Sequence, residues 1–147
     1  MTALTLADAR AVIEAAEKRA NEIGQPMNIA VVDAGGNLIA HVRQDGAWIG
    51  SIDISINKAW TSRAFDIQTK DLGANSQPAQ QFFGIHATNG GKVTIFAGGV
   101  PLVRDGAVVG GLGVSGGSGE QDQTVAEAGA EVRLIQHGGF GGAAEDA

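Results

Sequence analysis

Apolar residues recur at steps of three and four along residues 6–23. Leu6, Ala9, Ile13, Ala16, Ala20 and Ile23 share one face, and Arg10, Glu14, Glu17, Lys18 and Glu22 lie elsewhere, which predicts an amphipathic helix. Thr5 suits its N-cap, and Gly24 followed by Pro26 marks its end. The period then changes to two. "NIAVVD" (28–33) and the alternating "LIAHVRQ" (38–44) flank the turn "AGGN", which predicts an antiparallel hairpin closed by Asp45-Gly46. Residues 50–65 return to a helical pattern with two stripes. Ile52, Ile56, Ala59 and Arg63 form one, and Ile54, Lys58, Thr61 and Phe65 form the other, so the helix is expected to be well covered.

Residues 66–91 are irregular, with cap-like Thr69 and Ser76, Pro78, and glycines at 73, 84, 90 and 91. Long connections of this kind are usually binding loops or lids. Three strands are expected after it: "KVTIFA" (92–97), "VPLVR" (100–104) and "AVVGGLGVS" (107–115). Gly98-Gly99 and Asp105-Gly106 separate them, links so short that the strands must run antiparallel. A last helix is expected over 119–136, with Ser118 and Gln121 as a capping box and Val125, Ala128, Val132 and Ile135 as its buried stripe. The order implies an α/β (α+β) domain: a five-stranded antiparallel sheet with helices on both faces. A single domain over 1–137 and a mobile glycine-rich tail over 138–147 complete the expectation.

Composition narrows the function more than the fold. A net charge of −6, with cations scattered at Arg43, Lys58, Arg63, Lys70, Lys92 and Arg104, argues against a nucleic-acid partner. The chain has no cysteine, which excludes disulfides, thiolate-ligated haem, iron–sulfur clusters and zinc ribbons. No apolar run is long enough to span a bilayer, so no membrane association is expected. The start "MTALTLADAR" lacks the features of a signal peptide, which makes the cytoplasm the expected compartment.

Two motifs dissolve on inspection. Gly111, Gly113 and Gly116 satisfy G-x-G-x-x-G, and Glu131 has the spacing of a ribose-binding acid, but no parallel strand follows to complete a dinucleotide fold. "GVSGG" (113–117) fits a nucleophile elbow at Ser115, with Asp122 and His137 following in hydrolase order. Those two partners would sit about 22 Å apart along one helix at a rise of roughly 1.5 Å per residue, too far for a relay. What remains is a glycine-rich strand running into a capped helix, which either favours an anion at the helix start or lets a helix pack closely.

The side chains left as candidates are few. His41 shares a strand face with Arg43, and His86 stands in the irregular segment where binding residues concentrate, which makes it the candidate metal ligand. His137, at the end of the last helix, suits the helix dipole. Lys58 interrupts an apolar stretch. It is either a base or Schiff-base amine, or one half of a structural pair with Asp45 or Asp53.

"VVDAGGNLIAHVRQDGA" (31–47), "SIDISINKAWTS" (51–62), "FAGGVPLVRDGAVVGGLGVSGG" (96–117) and the "QD" at 121–122 together resemble the haem-degrading family. That family includes the glycolate-operon protein G, streptomycete haem-binding proteins and the C-terminal domain of PduO-type cobalamin adenosyltransferases. The resemblance implies a three-layer α-β-α, profilin-like fold and a homo-oligomer. It also implies that haem or a related tetrapyrrole is bound as a small-molecule ligand, with breakdown or storage as the outcome. Trp60 departs from the family pattern, which has a small residue there, and Ser62 stands near a usual alanine. No axial ligand belongs to the shared motifs. His41, His86, Arg43 and Ser115 as cofactor-binding groups, and Lys58 with Asp45 as catalytic groups, are therefore assigned from this chain alone. The alternative reading is a cofactor-independent enzyme acting on a small oxygenated metabolite, with Lys58, Arg43, His86 and Asp45 as its acid–base and anion-binding groups.

Overall fold

The computed structural model describes residues 3–134; Ile135, His137 and the tail over 138–147 lie outside the described residues. The elements are α1 (Leu6–Ile23), β1 (Asn28–Asp33), β2 (Leu38–Arg43), α2 (Gly50–Phe65), α3 (Thr69–Ala74), β3 (Gly99–Arg104), β4 (Ala107–Ser115) and α4 (Gly119–Ala130). Two short 3₁₀ turns, Ile85–Ala87 and Asn89–Gly91, interrupt the long connection between α3 and β3. All strand pairs are antiparallel, in the order β2-β1-β4-β3.

Helix α1 begins at a reciprocal capping box between Thr5 and Asp8 and ends at left-handed Gly24. Asp8 has a second role. Its carboxylate pairs with the buried guanidinium of Arg104 at 2.6 Å, tying the start of α1 to the end of β3. Helices α1 and α4 cover one face of the sheet, burying Val12, Ile13, Ala16, Ile29, Val31, Leu112, Val114 and Val125 in one core. Helix α4 stops at Ala130, six residues short of the expected end. Gly129 occupies its last turn, where a side chain would run into Leu112, and glycine is a poor helix former.

Helix α2 covers the other face in an unexpected orientation. Its buried side is Ser51, Ser55, Lys58, Ala59, Thr61 and Ser62, whereas Ile52, Ile54 and Ile56 lie on its flanks, half-buried. The cause is β4. Gly111 and Gly113 leave that face of the strand bare, and a Cβ on either would collide with the carbonyl oxygen of Ala59 or of Ser55. The helix thus lies against strand backbone, and only small residues fit between. Ser55 and Ser62 donate their hydroxyls to Ile52 and Ala59 of the same helix, at 2.9 Å each, so neither is buried unsatisfied.

Among the described residues the sheet has four strands, not five. Residues 92–97 are not a strand, because their backbone joins no ladder. Instead, Thr61 Oγ1 donates to the carbonyl of Lys92 at 3.2 Å and accepts from the amide of Thr94 at 3.0 Å. The segment then passes so close to α3 that a side chain on Gly73 would meet the carbonyl of Ile95. Thr61→Val should remove both bonds while keeping the shape. We expect a loss of about 1 kcal/mol in urea unfolding and faster amide exchange at Thr94, since that half-buried amide loses its acceptor while the Lys92 carbonyl keeps the Thr94 hydroxyl at 3.3 Å. Unchanged exchange there would contradict the tethering role.

Candidate functional site

Lys58 lies at the centre of the α2 face, with its side chain fully buried. Its ammonium donates to the carbonyl of Val114 at 2.8 Å and to Asp122 Oδ2 at 3.0 Å. Asp122 Oδ1 in turn accepts the amides of Gly116 and Gly117, at 3.1 and 2.9 Å. Both readings of the glycine-rich strand and capped helix have a counterpart: α2 packs closely on Gly111 and Gly113, and the start of α4 is served by the chain's own carboxylate. The carboxylate partner of Lys58 is Asp122 rather than Asp45 or Asp53. Burial lowers the Lys58 pKa, outweighing the charge and hydrogen bond of Asp122. Burial likewise raises the Asp122 pKa against the pull of Lys58 and the two amides. Desolvation thus favours the neutral form of both partners.

An aromatic ring packs over the ammonium. Phe96 lies 4.9 Å from the Lys58 ammonium, ring centroid to Nζ, and remains 49% exposed. It forms part of an open cleft of about 410 Å³ shared with His86, Asp53, Ile54, Asn57, Val93 and Ile95. The His86 imidazole is exposed and makes no hydrogen bond to any described residue. Phe82 and Phe83, exposed just upstream on the same connection, add apolar surface to that segment.

The other candidates lie elsewhere. His41, on β2, is half-buried; Asn28 Nδ2 donates to the carbonyl of Trp48 at 3.0 Å, so its Oδ1 accepts from His41 Nε2 at 3.1 Å. Burial lowers the pKa of this imidazole. Ser115 is buried, and its hydroxyl donates to Ser51 Oγ at 2.9 Å. Arg43 and Asp45 line a separate notch of about 520 Å³ with Glu17, Asn21 and Gln25, beside the end of α1. Lys58, Arg43, His86 and Asp45 are therefore not gathered in one place: His86 lines the cleft, and Lys58 is buried against Phe96, which lines the same cleft. Among the described residues, no group of three or more acidic, cysteine or histidine side chains is disposed to hold a metal ion. Nor does any described helix have the length and apolarity to cross a membrane.

Sequence reasoning did not pair Lys58 with Asp122, and it passed over Asn28. Asp122 was visible as an acid in the first turn of a helix that follows four polar or glycine residues, but its partner is 64 positions away. Asn28, fully buried, is a lone amide opening an apolar strand, a position that asks for a hydrogen-bonding reason. Trp60, the departure from the family pattern, stacks beneath Lys92 at 4.2 Å and packs on the Gly36 turn, away from the cleft.

A family model described as haem-degrading protein, HbpS-like, matches residues 4–131. The chain belongs to this family. A 15.0 kDa protein of the dhaT-dhaS intergenic region in Citrobacter freundii is 41% identical over 84% of this chain and 87% of its own length. The crystal structure of Klebsiella pneumoniae protein ORFY superposes with a TM-score of 0.86 at 39% identity, covering 89% of this chain and 91% of that one. A crystal structure of a PduOC:haem complex superposes with a TM-score of 0.84 at 36% identity, covering 88% and 94%.

Proposed function

We propose that this HbpS-like chain binds haem or a related tetrapyrrole in the His86 cleft, in the service of haem storage or breakdown. The observation behind the reading is an exposed imidazole, free of hydrogen bonds to the described residues, beside an apolar wall of Phe96, Ile54, Ile95 and Val93. That donor set fits the group. One neutral imidazole is a common protein ligand to haem iron, and a tetrapyrrole needs apolar contact for its faces. His86 would hold the iron, and Phe96, Ile54 and Ile95 would shield the macrocycle; bound haem would supply a redox-active iron. The likeness to a chain solved as a haem complex supports the same reading. A homo-oligomer is part of it. Trp48 and Ile49, 60% and 74% exposed at the start of α2, are surface that a second copy would cover.

Titration of the purified chain with hemin tests this. A saturable Soret shift is expected, with affinity falling about tenfold or more, roughly 1.4 kcal/mol, in His86→Ala. His41→Ala should bind as the wild type does, because that imidazole is engaged by Asn28. A broad, unsaturable change indifferent to both substitutions would sink the proposal.

A further inference from the structure

We propose that Lys58 is a latent carbonyl-reactive amine of the His86 cleft, screened by the Phe96 ring and able to pass its proton to Asp122. The ligand class is a small aldehyde or ketone. This goes beyond the tetrapyrrole reading and does not depend on it.

Geometry carries the proposal. The Phe96 ring centroid lies 4.9 Å from the ammonium, and the same residue, 49% exposed, lines the cleft. The backbone that bears the ring is anchored at two points. The Thr94 amide bonds Thr61, and the Gly98 amide bonds Gln123 Oε1 at 3.1 Å. Only Ile95, Phe96 and Ala97 lie between, outside any strand ladder. Gly98 itself has φ of 122°, a conformation open to glycine, and a Cβ there would fall 2.8 Å from Lys58 Nζ. Displacement of these three residues would open the amine to the cleft.

Asp122 is built to receive the proton. Oδ1 keeps its two amide donors while Oδ2, 3.0 Å from Nζ, is the atom that would be protonated. The step balances without a further reagent. The ammonium gives one proton to Asp122 Oδ2, and the freed amine attacks the carbonyl carbon. A C–N bond forms, the carbonyl oxygen leaves as water with the two remaining nitrogen protons, and an imine and a neutral Asp122 result. Asp53 and Asn57, at the mouth of the same cleft, offer polar groups to orient an oxygenated substrate.

Reductive labelling of the full chain with propionaldehyde and cyanoborohydride, read by peptide mass spectrometry, tests the assignment against exposed Lys70 as internal standard. Phe96→Ala should raise the Lys58-to-Lys70 labelling ratio about tenfold or more, since it removes the cost of opening. The ratio should be highest near neutral pH and fall toward about pH 10, where ordinary surface lysines also become neutral. Should Phe96→Ala fail to fold, Phe96→Leu is read the same way. If Lys58 stays unlabelled in a variant whose circular dichroism is native and whose Lys70 reacts, the proposal is overturned. A ratio that climbs with pH overturns it too. Labelling is read by mass and hemin binding by absorption, so either idea can fail while the other stands.

Discussion

Gly113→Ala is expected to destabilise the protein by about 3 kcal/mol, the upper end of the usual cost of overpacking. The added carbon meets the carbonyl oxygen of Ser55 and the amide of Ala59, which are backbone atoms and cannot rotate away. Relief requires α2 to lift from β4. That movement would stretch the Ser51–Ser115 hydrogen bond and draw Lys58 away from Val114 and Asp122. Gly119→Ala is the control, since its new carbon meets only the Ala97 methyl at 3.6 Å. A change within about 0.5 kcal/mol is expected there. Urea unfolding followed by the fluorescence of Trp48 and Trp60 measures both. Equal stability of the two variants would refute the close approach of α2 to the sheet.

The same contact explains what the sequence could and could not tell. The limits of α1 and α2 were legible, because an N-cap or a change of period marks each end. The hairpin of β1 and β2, and that of β3 and β4, followed from turn residues with positive φ, such as Gly36 and the Asp105-Gly106 pair. The face that α2 buries was not read, because isoleucine dominates any count of hydrophobicity. The clue lay in the strand. Gly111 and Gly113 alternate with Leu112 and Val114, so the α2 side of β4 is bare at both positions. A helix opposite it must present a small stripe, and Ser51, Ser55, Ala59 and Ser62 recur at helical spacing.

Residues 92–97 show a different limit. Val93 and Ile95 alternate with polar or exposed positions as they would in a strand, yet strand structure needs a neighbour for its amides and carbonyls. The segment pairs with neither edge of the sheet, β2 or β3, and a threonine on α2 takes up the Lys92 carbonyl and the Thr94 amide instead. The candidate site was half legible for the same reason. His86 and Lys58 stood out by residue type, whereas the Asp122 partner arises only from the fold. Asp45 was nearer in sequence, but the fold puts it beside the end of α1.

Removing one member of the Lys58–Asp122 pair should cost about 3–5 kcal/mol, since an uncompensated charge is left in the core. Lys58→Met leaves a carboxylate held only by two amides, and Asp122→Asn leaves an ammonium with one carbonyl. The double variant should recover much of the loss: asparagine still accepts both amides through its side-chain oxygen, and methionine fills the apolar space. Equilibrium unfolding of all four proteins gives the coupling directly. Its pH dependence has a definite sign. Between the lowered folded pKa of Lys58 and its unfolded value near 10.4, the unfolded state binds more protons, so stability rises with pH. Between the unfolded value of Asp122, near 3.9, and its raised folded pKa, the folded state binds more protons, so stability falls as pH rises. Relative to the double variant, the wild type should therefore be least stable near neutrality and gain toward both extremes. A wild type that gains on approaching neutrality would mean that attraction within the pair outweighs its desolvation, and that Lys58 is held too firmly as an ammonium to serve as an amine.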